Sequence, residues 1–189
     1  MMHTHPERGF TLIETMVAIS LMTVAIIAPM SLTAQSLSSA YYARDQVTAY
    51  YLAQEAIESV RSIRDSQILQ IAKSTNASSI NLFGTIPLGN RPFTIDATKN
   101  DASQAISLCS SGTCPPLQTN GTLYGYQSGW TNTNFTRTVT AAFIAGTQDE
   151  IRVSVTVSWQ TEGIQTKSFT LSSDMYRWVN DGSGAQQTP

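Results

Sequence analysis

A carboxylate inside an apolar run, a close pair of cysteines and two early histidines are the side chains whose types and spacing could do chemistry. Glu14 interrupts the run Phe10 to Met30, FTLIETMVAISLMTVAIIAPM. A carboxylate in such a run costs roughly 2.5–3.5 kcal/mol at a bilayer centre and less near the interface. Glu14 therefore either reaches back to the headgroups or awaits a positive partner inside a protein assembly. Cys109 and Cys114 have four residues between them rather than two, so they are not a redox CxxC pair. Two thiolates without a histidine make a poor metal site. They bond to each other in an oxidising compartment and stay reduced in the cytosol, so topology decides between the two.

His3 and His5 are the only imidazoles. Asp96, Asn100 and Asp101 offer oxygen ligands to calcium, but the same residues are favoured in ordinary turns. Asn76, Asn120 and Asn134 fit the Asn-x-Ser/Thr acceptor pattern. Trp130, Trp159, Trp178 and the tyrosines could be adhesive, with core and sheet packing as the default. The sequence has no Gly-rich phosphate loop, zinc spacing or nucleophile elbow. No catalytic residue, metal or other cofactor is expected, and the chain is not read as an enzyme.

The elements that position these residues follow from the charge pattern. The chain has 189 residues and a formal net charge of -2, with 13% charged residues. It carries no basic footprint, so nucleic acid is not an expected partner. Between Glu14 and Arg44 there is no charge at all. A helix of ~20 apolar residues crosses a bilayer core, and a spanning segment must be helical because lipid cannot satisfy backbone groups. Arg8 and the amino terminus precede the run, which favours a cytoplasmic N-terminus and an outward-facing remainder. An ordinary secretory signal does not fit, because no small-residue cleavage site follows the run between Ala28 and Ala34. With the domain outside, a Cys109–Cys114 disulfide is expected, stabilising by about 2 kcal/mol in the chain-entropy view.

The string Arg8-Gly9-Phe10-Thr11-Leu12-Ile13-Glu14 resembles the cleavage and methylation motif of type IV prepilins. The resemblance implies that prepilin peptidase cuts between Gly9 and Phe10, methylates the amine of Phe10, and leaves Glu14 to act in subunit assembly. Both histidines would leave with the leader. It further implies other pilin or pseudopilin subunits, the inner-membrane assembly machinery and the membrane as partners. The expected location is a single pass through the inner membrane, then a cell-surface filament or a periplasmic pseudopilus. The segment Leu52 to Asp65 also resembles V-type minor pilins and I-type minor pseudopilins. The expected role is a minor pilin or pseudopilin of a type IV pilus or type II secretion system. The alternative is a filament-borne adhesin or DNA-uptake receptor.

Beyond the span, Val47, Tyr50, Ala53, Ile57, Val60 and Ile63 recur at three- and four-residue steps, which marks one apolar helix face. Glu58 with Arg61, and Arg61 with Asp65, have the spacing of helical ion pairs. Pro29 removes one helix hydrogen bond and marks a kink or weak point. Residues 73 to 134 are rich in Ser, Thr, Asn, Gly and Pro, with short strands expected only at Phe93-Thr94-Ile95 and Leu123 to Tyr126. From Phe135 the chain alternates. Phe135, Val139, Ala141 and Phe143 predict one strand, Ile151 to Trp159 a second, and Phe169 with Leu171 a third. Ala145-Gly146 and Glu162-Gly163 supply the turns. The expected class is α+β, pilin-like, with a long N-terminal helix packed on a C-terminal antiparallel sheet. The expected segments are a leader (1–9), a transmembrane helix (10–34), its amphipathic continuation (35–72), a β domain (73–180) and a disordered tail (181–189).

Overall fold

A computed structural model describes residues 9–73, 82–161 and 165–177. The leader before Gly9, Asn76, the Glu162-Gly163 turn, Trp178 and the 181–189 tail lie outside these residues. The chain divides into two units, one ending at Ala43 and one beginning at Arg44.

In the first unit the apolar run forms the opening part of helix α1 (Leu12–Lys73). Its large apolar side chains from Phe10 to Leu37 are all more than half exposed, from 51% at Val17 to 81% at Phe10. Among the described residues of this unit none buries them, and the segment is long and apolar enough to cross a membrane. Its hydroxyls need no water. Those of Thr15, Ser20, Thr23 and Thr33 donate to the carbonyls of Leu12, Val17, Ser20 and Pro29 at 2.8–2.9 Å. Pro29 lies inside the helix without ending it.

In the second unit α1 buries Ala49, Leu52, Ala53, Ala56, Ile57, Val60 and Ile63. The expected face is therefore right at Ala53, Ile57, Val60 and Ile63, but Val47 and Tyr50 are exposed. The small side chains at 49, 53 and 56 let the helix approach the sheet, and this rotates the buried stripe away from Val47 and Tyr50. Arg61 pairs with Glu58 as expected, whereas Asp65 takes its neighbour Arg64 at 2.7 Å instead of Arg61.

The three expected long strands are present: β5 (Thr131–Phe143), β6 (Glu150–Thr161) and β7 (Gln165–Tyr176). They form an antiparallel meander, with Val139 opposite Val155 and Val155 opposite Leu171. The turn at Gly146 closes through Ile144 N–H donating to the Glu150 carbonyl at 2.9 Å. The meander is part of a larger, seven-stranded sheet. The other edge of β5 is shared by β3 (Pro116–Thr119) beside its first half and β1 (Phe93–Ile95) beside its second. Short β2 (Ile106–Leu108) and β4 (Tyr124–Gly125) extend these, and a single-turn helix α2 (Ala102–Ala105) precedes β2. The core joins α1 to the inward residues of the sheet. Val153, Val155, Val157 and Trp159 of β6 are buried, and the Trp159 ring lies 6.3 Å from that of Phe135. Trp130 is half-buried. Phe143, expected inward, is 41% exposed, with its ring set edge-on to Phe83.

One inward position of β5 carries a charge. Arg137 is fully buried. It donates to Glu55 Oε2 at 2.7 Å, to the Leu52 carbonyl at 3.0 Å and to the Ile95 carbonyl at 2.6 Å. One side chain thus ties α1, β1 and β5 together. Buried Asp96 continues the polar layer, accepting from the Thr98 amide and hydroxyl and from the Tyr126 amide. A Cβ on Gly125 would lie 2.8 Å from Asp96 Oδ1, so a side chain there would have to displace the Asp96 carboxylate from its partners.

Burial pushes the Tyr126 phenol up to about 12, with the Arg137 cation pulling the other way. A pKa raised above the unfolded value of ~10 means that the folded state holds its proton more tightly. This contribution to stability is complete below pH ~10 and is lost as pH rises through the folded value of about 12. Phenolate absorbance should therefore show a late phase among the seven tyrosines, to which Tyr176, raised by its hydrogen bond to Glu150, also contributes. Tyr126→Phe should lower that phase by one phenol's amplitude, and an undiminished phase in the variant overturns the assignment.

The outward positions of the meander carry hydroxyls in register. Thr136, Ser158 and Ser168 form one row, Thr138, Thr156 and Thr170 the next, and Thr140, Ser154 and Ser172 a third. Thr156 and Thr170 share a hydrogen bond at 2.9 Å, as do Ser154 and Ser172. Charge enters from the next row, where Arg152 and Asp174 pair bidentately at 2.7 and 2.8 Å.

Candidate functional site

Among the described residues, three precede α1 without regular structure: Gly9, Phe10 and Thr11. All are exposed. Among the described residues, no atom beyond its chain neighbours lies within 4 Å of where a Cβ on Gly9 would be. The helix begins at Leu12, which puts Thr11 at the capping position. The Thr11 carbonyl accepts from the Glu14 amide at 3.0 Å and from the Thr15 amide at 3.2 Å. Its hydroxyl lies 3.4 Å from the Glu14 nitrogen, beside the donors that a helix start leaves unpaired.

Glu14 falls in the first turn of α1, where the positive end of the helix dipole favours a carboxylate. The side chain is exposed. It is also the only charged residue from Phe10 to Ala43. Opening the Gly9–Phe10 bond would place an ammonium at Phe10, where the same dipole disfavours it. Glu14 is then the only counter-ion that this stretch of sequence can offer, to its own chain or to a neighbouring copy.

The remaining candidates lie elsewhere and do local work. Cys109 and Cys114 are joined in a disulfide with Cα atoms 4.7 Å apart. They flank a tight turn in which the Thr113 amide donates to the Ser110 carbonyl at 3.0 Å. Ser111 and Gly112 both have positive φ, 50° and 79°, as a primed hairpin turn requires. Asp101 caps α2, accepting from the Ser103 hydroxyl and amide, and these bonds hold its carboxyl below the usual range. Asn100 is exposed. Among the described residues no three His, Cys, Asp or Glu side chains converge. Asn120 closes a turn by accepting from the amides of Thr122 and Leu123. The amide of Asn134 donates to the Gln160 carbonyl at 3.3 Å.

Sequence reading gave Thr11 no role of its own. The signal was present, since Thr followed three residues later by Glu is a helix-start pattern. The family model described as the prokaryotic N-terminal methylation motif matches residues 4–28, which takes in Gly9, Phe10, Thr11 and Glu14. No curated protein and no solved structure matches the chain.

Proposed function

We propose that this chain, a type IV prepilin-like protein by its N-terminal methylation motif, is a minor pilin or pseudopilin made for cleavage and assembly into a filament. The observation that carries the reading is the exposed Gly9–Phe10 pair directly before a long apolar helix whose large side chains from Leu12 to Leu37 are more than half exposed. Prepilin peptidase cuts after Gly9 and methylates the Phe10 amine. The helix first anchors the subunit in the inner membrane, with the N-terminus cytoplasmic and the β-sheet unit outside. It then packs against the helices of other subunits, either in a type IV pilus or in a type II secretion pseudopilus. The intact disulfide supports an oxidising location for the second unit. The role is structural rather than catalytic.

Mass spectrometry of protein isolated from its own cells tests this directly. The expected chain begins at Phe10 and carries one added methyl group on its amine. A chain that still begins at Met1, or is cut beyond Ala28, rules the reading out.

A further inference from the structure

We propose that Thr11 is a positioning residue for processing: its helix cap keeps the Gly9–Phe10 peptide out of α1, where a peptidase can take it in extended form. The inference rests on cleavage at that bond, as proposed above. The apolar residues after Thr11 favour helix, and Phe10 has no side-chain group that would stop the helix from growing backwards. A helix capped at Gly9 would enlist the Gly9 carbonyl as acceptor for the Ile13 amide. That carbonyl is the one hydrolysis must attack. Water adds to it, the C–N bond to Phe10 breaks, Gly9 leaves as a carboxylate and Phe10 departs as the amine carrying the proton. A carbonyl already engaged in a helix is turned away from the donors a peptidase must aim at its oxygen.

In this structure the first carbonyl that α1 enlists is that of Thr11, which receives the Glu14 and Thr15 amides. Gly9 and Phe10 stay outside the helix. The Thr11 hydroxyl beside the Glu14 nitrogen favours this start over earlier ones. Glu14 supports the same start by placing a carboxylate in the first turn.

The test compares the full-length wild type with Thr11→Ser and Thr11→Asn, which keep a capping oxygen, and with Thr11→Val and Thr11→Ala, which lack one. Each chain is presented in membranes that contain prepilin peptidase, and the rate of cleavage after Gly9 is measured. The same chains in detergent micelles give amide exchange at Ile13 and the carbonyl chemical shift of Gly9 by NMR. The capped variants should be processed at close to the wild-type rate. Val and Ala should be roughly two- to thirtyfold slower, the range set by the strength of a cap, with Ile13 protected and Gly9 shifted toward helix. Equal rates in all variants overturn the inference. So do slow Val and Ala chains whose helix start has not moved, because Thr11 would then act by touching the peptidase. A wild-type chain left uncut at Gly9 overturns the cleavage reading, and this inference with it.

Discussion

Replacing Glu14 by Gln is expected to leave cleavage after Gly9 intact and to lower incorporation into filaments about tenfold or more. The side chain keeps its shape and loses only its charge. In the proposed role, cleavage would create an ammonium at Phe10 and assembly would carry it into an apolar bundle of helices. An unpaired charge there is costly, while an opposite charge held against it recovers much of the cost. Close charge pairs across interfaces are coupled by ~1.5–7 kcal/mol, and each ~1.4 kcal/mol is tenfold in an equilibrium. Glu14 is the one charge in this stretch that can serve, and it is exposed, with no partner required from its own unit. Contact between the Glu14 carboxylate and the amine of the subunit ahead would also fix the axial register. Leu and Ile surfaces alone would allow sliding. The measurement is the ratio of filament-associated to membrane-retained protein after shearing. Normal incorporation of the Gln variant, or crosslinks that place this subunit alone at the tip, count against the assignment.

Arg137→Ala is expected to destabilise the second unit by about 2–5 kcal/mol, from the void it leaves and the buried carbonyls that lose a charged donor. The guanidinium is fully buried and satisfies the Ile95 carbonyl, the Leu52 carbonyl and Glu55 together. Its removal opens a void and leaves the Ile95 carbonyl without that donor. Glu55 is 39% exposed and can turn to water, so most of the loss comes from the carbonyls and the void. Arg137→Met fills much of the volume without the donors and should cost less, about 1–3 kcal/mol. Denaturant unfolding of the detergent-solubilised chain, followed by tryptophan fluorescence, gives both values. Two variants of wild-type stability would show that Arg137 does not hold α1 to the sheet.

The features legible in the sequence were those written in local patterns. An uncharged run of this length admits one structure in lipid, and a two-residue period through Val153, Val155 and Val157 admits one face. Those signals sufficed for α1 and for the meander. The strands β2 and β3 were not legible because they are three and four residues long. Their existence depends on partners far along the chain, such as Ile106 opposite Ile95 and Pro116 opposite Thr136. Arg137 occupies an inward position between Phe135 and Val139. A charge breaking an apolar alternation signals a buried partner, but the sequence could not name Glu55 or the Ile95 carbonyl. At the N-terminus the motif was readable as a string, whereas the division of labour within it needed the helix start to be located at Leu12.

The rows of Ser and Thr on the outer face bear on where such a domain can work. Hydroxyls do not titrate over the pH range in which proteins fold, and they carry no charge for salt to screen. A face built from Lys and Glu changes its water and ion atmosphere when a cell moves between dilute and saline surroundings. The Thr138–Thr156–Thr170 row and its neighbours do not. Acidity can reach this side of the sheet at the Arg152–Asp174 pair, where the guanidinium holds the Asp174 carboxyl below its ordinary range. Beyond that corner, an outward-facing domain would present the same hydration to whatever medium surrounds it.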